Sequence, residues 1–370
     1  MTATGGCAAC TNQPFRIFFV LAALEAVAGV LPWLPWGWPD GTTAAAWHRE
    51  ALLFGMVPAV MAGFLLTALP RWTRSAPVSR RLLRGLVGVW LAGRATHLWF
   101  PTLAGPMAGG FLACVAVVLA LRVAGAGARR EFKVVLLLVL LAGAAAMPDC
   151  DPDILPAGFR SHLALTAIIG LIAVIGGRIA PALTASYLAR RGVEYGWRPL
   201  RSFEVLAALS LAIALGLWCF DAPGQGPASL VAGLLQTIRL IAWRPWHAIS
   251  HPGLLTLHLA YGWIPLGLGL NVIRSAGPGV SANAILHAWA AGAIGMMCLS
   301  AMASMVRRQA RQAFSSPRGS LAMMVAAAAA APLRLLPEFD AVVPLRLAAV
   351  CWSAAFLLFL AAYRRPLGLS

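Results

Sequence analysis

The fold class is decided by residues 47–72, WHREALLFGMVPAVMAGFLLTALPRW. This stretch begins with a polar cluster, Trp-His-Arg-Glu, runs for about 20 residues without a charged side chain, and ends in Pro-Arg-Trp. An apolar run of ~20 residues matches the ~30 Å hydrocarbon thickness of a bilayer. Tryptophans at both ends, Trp47 and Trp72, are typical of the membrane–water interface. The stretch therefore predicts a membrane-spanning helix that carries a histidine, His48, at one end.

The composition extends this prediction to the whole chain. Of the 370 residues, 60% are hydrophobic and 11% are charged, whereas soluble domains have ~45–50% apolar and ~25% charged residues. We therefore expect an all-α, polytopic membrane bundle that forms a single integral membrane domain over residues 1–370. The net charge of +17 does not indicate nucleic-acid binding, because most of the arginines lie in short loops, where the positive-inside rule places them. Anionic lipid headgroups are their expected partners.

Apolar runs separated by Pro- and Gly-containing connections predict twelve spans. They cover roughly residues 15–34, 50–69, 82–100, 103–122, 132–147, 162–186, 203–220, 228–243, 253–273, 283–305, 319–336 and 342–363. The connections after the second, fourth, sixth and tenth runs are rich in arginine, whereas those after the third and seventh carry no basic residue. This alternation predicts an even number of spans with both termini in the cytoplasm.

Histidines recur near the ends of these spans. His48, His162 and His287 open the second, sixth and tenth spans at the predicted periplasmic side, and His97 lies near the periplasmic end of the third. His258 lies ~9 Å into the ninth span from the cytoplasm, at 1.5 Å per residue. Imidazole is a common ligand of haem iron and copper, and bundle sites are built from facing helices. These five histidines are therefore candidate metal ligands, although a lone histidine at a helix end is more often an interfacial anchor. The spacing of four helices between three of them also predicts a pseudo-threefold arrangement.

Two arginines, Arg94 and Arg178, lie inside predicted spans rather than in loops. A guanidinium within a membrane needs an anionic partner. That partner is either a carboxylate, for which Glu25 and Glu50 are candidates, or the propionates of a bound haem. The sequence leaves both possibilities open.

Four segments carry a family resemblance, and they occur in this order: WH…LLFG…AGFLLTALPRWT, IGGRIAPALT, LHLAYGWIPLGL and LHAWAAGAIGMMCLSAM. They resemble the NnrS family, membrane proteins tied to nitric oxide and denitrification. The resemblance implies a twelve-span protein of the bacterial inner membrane that contains haem and copper and acts under nitrosative stress. It also implies a metal-binding role for His48, His258 and His287. Arg178 and Tyr261 fall within matching segments and are candidates for cofactor contacts.

The chain departs from the family pattern at one position. The family commonly shows two histidines as WHxHE, whereas this chain has Trp47-His48-Arg49-Glu50-Ala51, so Glu50 stands where the second imidazole is expected. A carboxylate in that place would be a harder metal donor.

Histidines on the second, sixth and tenth of twelve spans also look like the catalytic subunit of haem-copper oxidases and nitric oxide reductases. By that resemblance His48 and His287 would be the axial pair of a b-type haem. The oxidase-type copper cluster is not apparent, because the sixth span offers only His162.

Two functions follow from this reading. The first is a haem protein, with copper as a second candidate cofactor, that binds or removes nitric oxide and would draw any electrons from a donor such as quinol. The alternative is a secondary transporter of a small anion, with Arg94 and Arg178 as substrate clamps and the histidines as proton relays. The sequence does not decide whether the chain is an enzyme.

Overall fold

The computed structural model describes residues 13–34, 41–148, 154–196, 200–310, 318–336 and 342–369, and all regular structure in them is helical. Twelve long helices follow one another in these residues, and each coincides with one of the twelve apolar runs. They are α1 (Pro14–Ala28), α2 (41–73), α3 (Arg80–Trp99), α4 (Pro101–Gly125), α5 (Phe132–Ala146), α6 (Phe159–Ala189), α7 (Arg201–Cys219), α8 (Gln225–Ala242), α9 (Pro252–Ala276), α10 (Ala282–Gln309), α11 (Arg318–Leu335) and α12 (Val342–Ala362). A short α13 (Arg364–Leu367) and 3₁₀ turns at Leu31–Trp33, Arg129–Glu131 and Pro245–Ala248 complete the helical structure.

Eight helices in the described residues are long and apolar enough to cross a membrane, and they belong to α1, α2, α4, α6, α7, α9, α10 and α12. The predicted all-α fold with several membrane-spanning helices is therefore confirmed. The count of twelve spans and the cytoplasmic position of both termini stay predictions, because α3, α5, α8 and α11 are shorter, carry more charge or are less apolar.

Helix starts follow the local sequence. Pro101 and Pro252 occupy the first turns of α4 and α9, where a missing N–H costs no hydrogen bond. Ser79 and Ser281 cap α3 and α10 by accepting hydrogen bonds from the backbone N–H groups three residues on.

Three of the long helices contain a π-helical segment, in which the turn widens by one residue. The segments are Leu52–Met56 in α2, Ile172–Gly176 in α6 and Ala288–Gly295 in α10. These three helices contact one another at the centre of the bundle, and they are the helices on which His48, His162 and His287 lie. Because π segments in proteins often mark functional sites, the centre of the bundle is the first place to look for one.

The remaining helices surround this centre in chain order. Neighbouring pairs such as α4 and α5, α8 and α9, and α11 and α12 pack together, and α12 closes the ring by packing on α1. Buried apolar residues from Phe15 to Leu367 form one contiguous cluster. This arrangement is what the predicted pseudo-threefold symmetry would produce, but the symmetry itself stays a prediction.

Candidate functional site

A cavity of about 470 Å³ lies among the helices that meet at one end of the bundle. It is lined by residues of α2, α6 and α10, by residues of α11 and α12, and by Val30 and Trp33 in the turn that follows α1. Three imidazoles, those of His48, His162 and His287, line this one cavity. The π segments of α2 and α10 also contribute lining residues, among them Met56 and Ile294. The structure thus brings together the three histidines that the sequence placed at the periplasmic ends of the second, sixth and tenth spans.

His48 and His287 face each other across this cavity. Their ring centroids are 6.3 Å apart and the ring planes differ by 21°. His48 Nδ1 lies 2.9 Å from the backbone oxygen of Gly29, and His287 Nδ1 lies 2.8 Å from that of Asn283. A carbonyl oxygen can only accept, so each Nδ1 donates its proton and each neutral ring keeps a lone pair on Nε2.

This arrangement is the one that metal-binding histidines need. Ligating imidazoles usually donate the second ring N–H to a carbonyl or carboxylate, which fixes the tautomer and the ring orientation. The two ring centroids lie 6.3 Å apart, toward the long end of the range for contacting rings. Two metal–nitrogen bonds of ~2.0–2.1 Å, together with the distance from each nitrogen to its ring centre, give a centroid separation of about 6 Å. The pair therefore fits a single metal atom between the two rings.

Two arginines are among the polar residues that line the cavity around the histidines. Arg49 and Arg334 line it together with Ser161 and Asn283, and no carboxylate is among the lining residues that the structure describes. Sequence reasoning missed these residues. The available signal was the positive-inside rule, because both arginines lie at the predicted periplasmic side, where basic residues are disfavoured.

His162, the third histidine of the cavity, and His97, which was also predicted at this end of the bundle, each contact an aromatic ring. The ring of His162 lies 4.3 Å from that of Trp218, and its Nδ1 has no hydrogen-bond partner among the described residues. His97 stacks on Trp47 at 4.8 Å and does not line the cavity. Of these two, only His162 is placed to meet a ligand beside His48 and His287.

His258 lies elsewhere, buried between α9 and α6. Its Nε2 is 2.9 Å from the Thr184 hydroxyl, which itself donates to the backbone oxygen of Ala180 at 2.8 Å. The hydroxyl proton is thus engaged, so Nε2 donates and Nδ1 carries the lone pair. That Nδ1 is buried and has no hydrogen-bond partner among the described residues. His258 is therefore separate from the cavity histidines, as its predicted depth implied.

Tyr261, one turn from His258 on α9, belongs to a buried polar network. Its hydroxyl accepts a hydrogen bond from Arg239 Nη1 at 2.6 Å and donates one to Gln236 Oε1 at 2.5 Å. Arg239 also forms an ion pair with Glu204 at 2.6 Å. Tyr261 does not line the cavity, so the geometry gives it a role in joining α7, α8 and α9.

The two arginines predicted inside spans both have carboxylate partners. Arg94 Nη1 lies 3.3 Å from Glu25 Oε1, and Arg178 Nη1 lies 2.8 Å from Glu131 Oε2. Glu25 was one of the two partners considered from the sequence, whereas Glu131 was not considered. Each pair ties two helical elements together.

Glu50, the residue at the expected second histidine, forms an ion pair with Arg160 of α6. The contact is bidentate, with Arg160 Nη1 donating to Glu50 Oε1 and Nη2 donating to Oε2 at 3.2 Å. Neither residue is among those that line the cavity. The carboxylate of Glu50 is thus engaged by a guanidinium at the back of the site.

Among the described residues, no group of three or more His, Cys, Asp or Glu side chains converges as a metal cluster. A two-imidazole site does not need such a cluster, since a haem supplies four equatorial nitrogens itself.

Comparison with known proteins gives one finding. A family model described as NnrS protein matches residues 9–368, nearly the whole chain. No curated protein sequence matches the chain.

Proposed function

Because the chain belongs to the NnrS family, we propose that it is a haem-binding membrane protein of the nitric oxide response, with His48 and His287 as the axial pair of a b-type haem. One observation carries the proposal. Two imidazoles face each other at 6.3 Å, and each is held by a backbone oxygen on Nδ1. Family membership alone supports a link to nitric oxide, and this geometry supports the metal group.

The rest of the cavity fits the same group. Haem is a flat, largely apolar macrocycle with two carboxylates at one edge. The apolar lining from the π segments of α2 and α10 suits the macrocycle, and Arg49 and Arg334 would hold the two propionates, because guanidinium groups bind carboxylates strongly. When bound, haem supplies an iron that exchanges electrons and binds nitric oxide. The chain would fix its orientation and exclude water from it.

The third imidazole gives the site a further donor. If His48 and His287 both hold the haem iron, the haem would supply electron exchange, and nitric oxide binding would call for a further donor. His162 lines the same cavity and is the nearest candidate for such a donor. Copper has less support than haem, because Glu50 is paired with Arg160 and the described residues show no three-ligand cluster. Reductive removal of nitric oxide would also need an electron donor, for which quinol is our proposal.

The cytoplasmic membrane of a bacterium is the proposed location. Eight long apolar helices in the described residues support a membrane protein. The arginine-rich loops would face the cytoplasm and its anionic lipids.

The experiment that tests the proposal is a visible spectrum of the protein purified in detergent, with and without dithionite. We expect the spectrum of a low-spin haem with two imidazole ligands. His48→Ala and His287→Ala should each abolish or shift it, because each removes one axial ligand. His258→Ala is the control, since His258 is a buried histidine that lies outside the cavity, and its spectrum should be unchanged. A colourless wild-type protein, even after expression with haem supplied, would refute the proposal.

The transporter alternative has weaker support. In a transporter, Arg94 and Arg178 would bind the substrate anion, yet Glu25 and Glu131 already neutralise them. The spectrum also separates the two functions, because a transporter would be colourless and would move a small anion into vesicles.

A further inference from the structure

The first eleven residues of α2 form an arm that is set apart from the rest of the helix. The arm is Gly41–Ala51, and the π segment Leu52–Met56 separates it from the body of the helix, Val57–Thr73. A π turn interrupts the regular α-helical hydrogen-bond pattern and is a recognised cause of helix kinks. The position of the arm, which carries His48, therefore depends on what its side chains contact.

Two of those contacts run to the end of α1. Trp47 Nε1 donates to the backbone oxygen of Ala28 at 2.8 Å, and His48 Nδ1 donates to that of Gly29 at 2.9 Å. Carbonyls at the C-terminus of a helix have no partner within the helix and are free to accept such bonds. Contacts to α3 also hold the arm, because Trp47 stacks on His97 and Arg94 Nη1 donates to the backbone oxygen of Glu50 at 3.3 Å.

The ion pair between Glu50 and Arg160 is the contact that anchors the arm to α6. Both residues are buried, with 8% and 6% of their surface exposed. Arg160 also donates to the backbone oxygens of Ala144 and Ala145 in α5, at 3.2 and 3.0 Å. Its guanidinium lies 4.3 Å from the ring centroid of Phe54, within the π segment of α2. The arginine is thus fixed by contacts to α5 and α2 and presents a rigid fork to the carboxylate.

The ion pair and the histidines have matching positions on their two helices. Glu50 follows His48 by two residues in α2, and Arg160 precedes His162 by two residues in α6. Residues two apart on an α-helix point in roughly opposite directions. Both histidines consequently line the cavity while the two charged residues meet behind it.

We propose that the Glu50–Arg160 ion pair is a positioning clamp that fixes the arm of α2 and so sets the separation of His48 from His287. The role of those histidines as axial ligands rests on the proposed function, but the clamp itself does not. Metal–ligand distances tolerate deviations of only about 0.2 Å. A small rotation of the arm about the π segment would therefore take His48 out of bonding range.

The first test is spectroscopic and uses the haem-loaded protein. Glu50→Gln keeps the shape of the side chain and removes its charge, and it should convert the two-imidazole, low-spin spectrum into that of a haem with one protein ligand. Because Glu50→Gln leaves a buried guanidinium unpaired and can impair folding, Glu50→Gln/Arg160→Met is the companion variant. It should show the same spectral change, since both variants remove the clamp.

Glu131→Gln is the matched control. It breaks the other ion pair of α6, that of Arg178, which lies ~27 Å along the helix from Arg160 at 1.5 Å per residue. Its spectrum should match the wild type. An unchanged spectrum in both clamp variants, or an equal change in the control, would overturn the proposal.

The second test does not need haem. Spin labels at Ala46→Cys on the arm and Ala282→Cys at the start of α10, both exposed positions, report the distance across the cavity when the seven native cysteines are replaced. The clamp variants should shift or broaden this distance distribution, and Glu131→Gln should not. A wild type without haem would refute the proposed function alone. An unchanged distance in the clamp variants would refute the clamp.

Discussion

Buried ion pairs are the residue-scale feature that distinguishes this bundle from a purely apolar one. In the part of the chain that the structure describes, two buried pairs, Arg94–Glu25 and Arg160–Glu50, and two half-buried pairs, Arg178–Glu131 and Arg239–Glu204, join helical elements. Charged side chains within a membrane are costly unless they are paired. Each pair therefore favours one relative position of its two helices, in which both charges are satisfied.

The energetic cost of leaving one of the two charges unpaired can be measured at the pair of Arg94 and Glu25. Their side chains are 11% and 13% exposed, and Arg94 also donates to the backbone oxygens of Glu50 and Phe54. Arg94→Leu should lower the free energy of unfolding by about 3–5 kcal/mol, because it leaves the Glu25 carboxylate buried and unpaired. Arg94→Leu/Glu25→Leu should cost less than the single variant, since no uncompensated charge remains. Reversible unfolding in mixed micelles gives both values, and a double variant less stable than the single one would contradict the argument.

From the sequence, the positions of the arginines within helices were predicted correctly, whereas their partners were predicted only in part. Arg94 and Arg178 stood out because they interrupt apolar runs, and Glu25 was a candidate partner for Arg94. The pairing of Glu50 with Arg160 was not predicted, because the choice of partner depends on the interhelical register, which no periodicity in one chain contains. Arg160 lies in a connection that was predicted to be periplasmic, and a basic residue there was an unused signal.

At the scale of elements, the three π segments are supported by side chains from neighbouring helices. The indole of Trp90 donates to the backbone oxygen of Gly55 in the first segment, and Arg239 donates to that of Ala173 in the second. In the third, the ring of Trp263 lies against Gly292 and that of Trp352 against Gly295. A widened turn leaves backbone oxygens and empty space that a regular helix would not leave. Trp90 and Arg239 bond to such oxygens, and the rings of Trp263 and Trp352 occupy such space.

The third segment makes a direct prediction. A Cβ at Gly292 would overlap the indole of Trp263, so Gly292→Ala should destabilise the protein by about 1–3 kcal/mol through overpacking. Gly143→Ala in α5 is the control, because its Cβ would meet nothing within 4 Å and alanine favours a helix by ~1 kcal/mol. Thermal unfolding of the two variants should move in opposite directions. Equal stability of Gly292→Ala and the wild type would show that the segment is not closely packed.

The π segments could not be predicted from the sequence. A π turn differs from an α turn by one residue. Such a shift shows in a sequence only where polar and apolar residues alternate, and these runs consist mainly of Ala, Leu, Ile and Gly. The sequence did predict which three helices have a special role, through the histidines at their ends. The cavity that those helices enclose depends on the packing of five helices and the turn after α1, and it was not predicted beyond the convergence of imidazoles.

At the scale of the whole molecule, the positions of the twelve helices were predicted closely because hydropathy and Pro/Gly breaks determine them locally. Whether each helix crosses the membrane is a separate matter. α5 has 15 residues and is thus ~22 Å long at 1.5 Å per residue, less than the ~30 Å of a hydrocarbon core. It nevertheless exposes Leu136 and Val139 by 61% and 52%, as a lipid-facing helix would, and its two ends carry loops of different charge.

The number of spans can be decided on α5, because Ala126 precedes it, Ala157 follows it and both are exposed. With twelve spans, the arginine-rich loop at Ala126 faces the cytoplasm and Ala157 faces the periplasm. We expect a membrane-impermeant thiol reagent added to intact cells to label Ala157→Cys and not Ala126→Cys, in a protein whose seven native cysteines are replaced. Both positions should react after permeabilisation, which serves as the control. Labelling of both from outside, or of neither, would show that α5 does not cross. The parity of the spans would then change, so the two termini would lie on opposite sides unless a second helix also failed to cross.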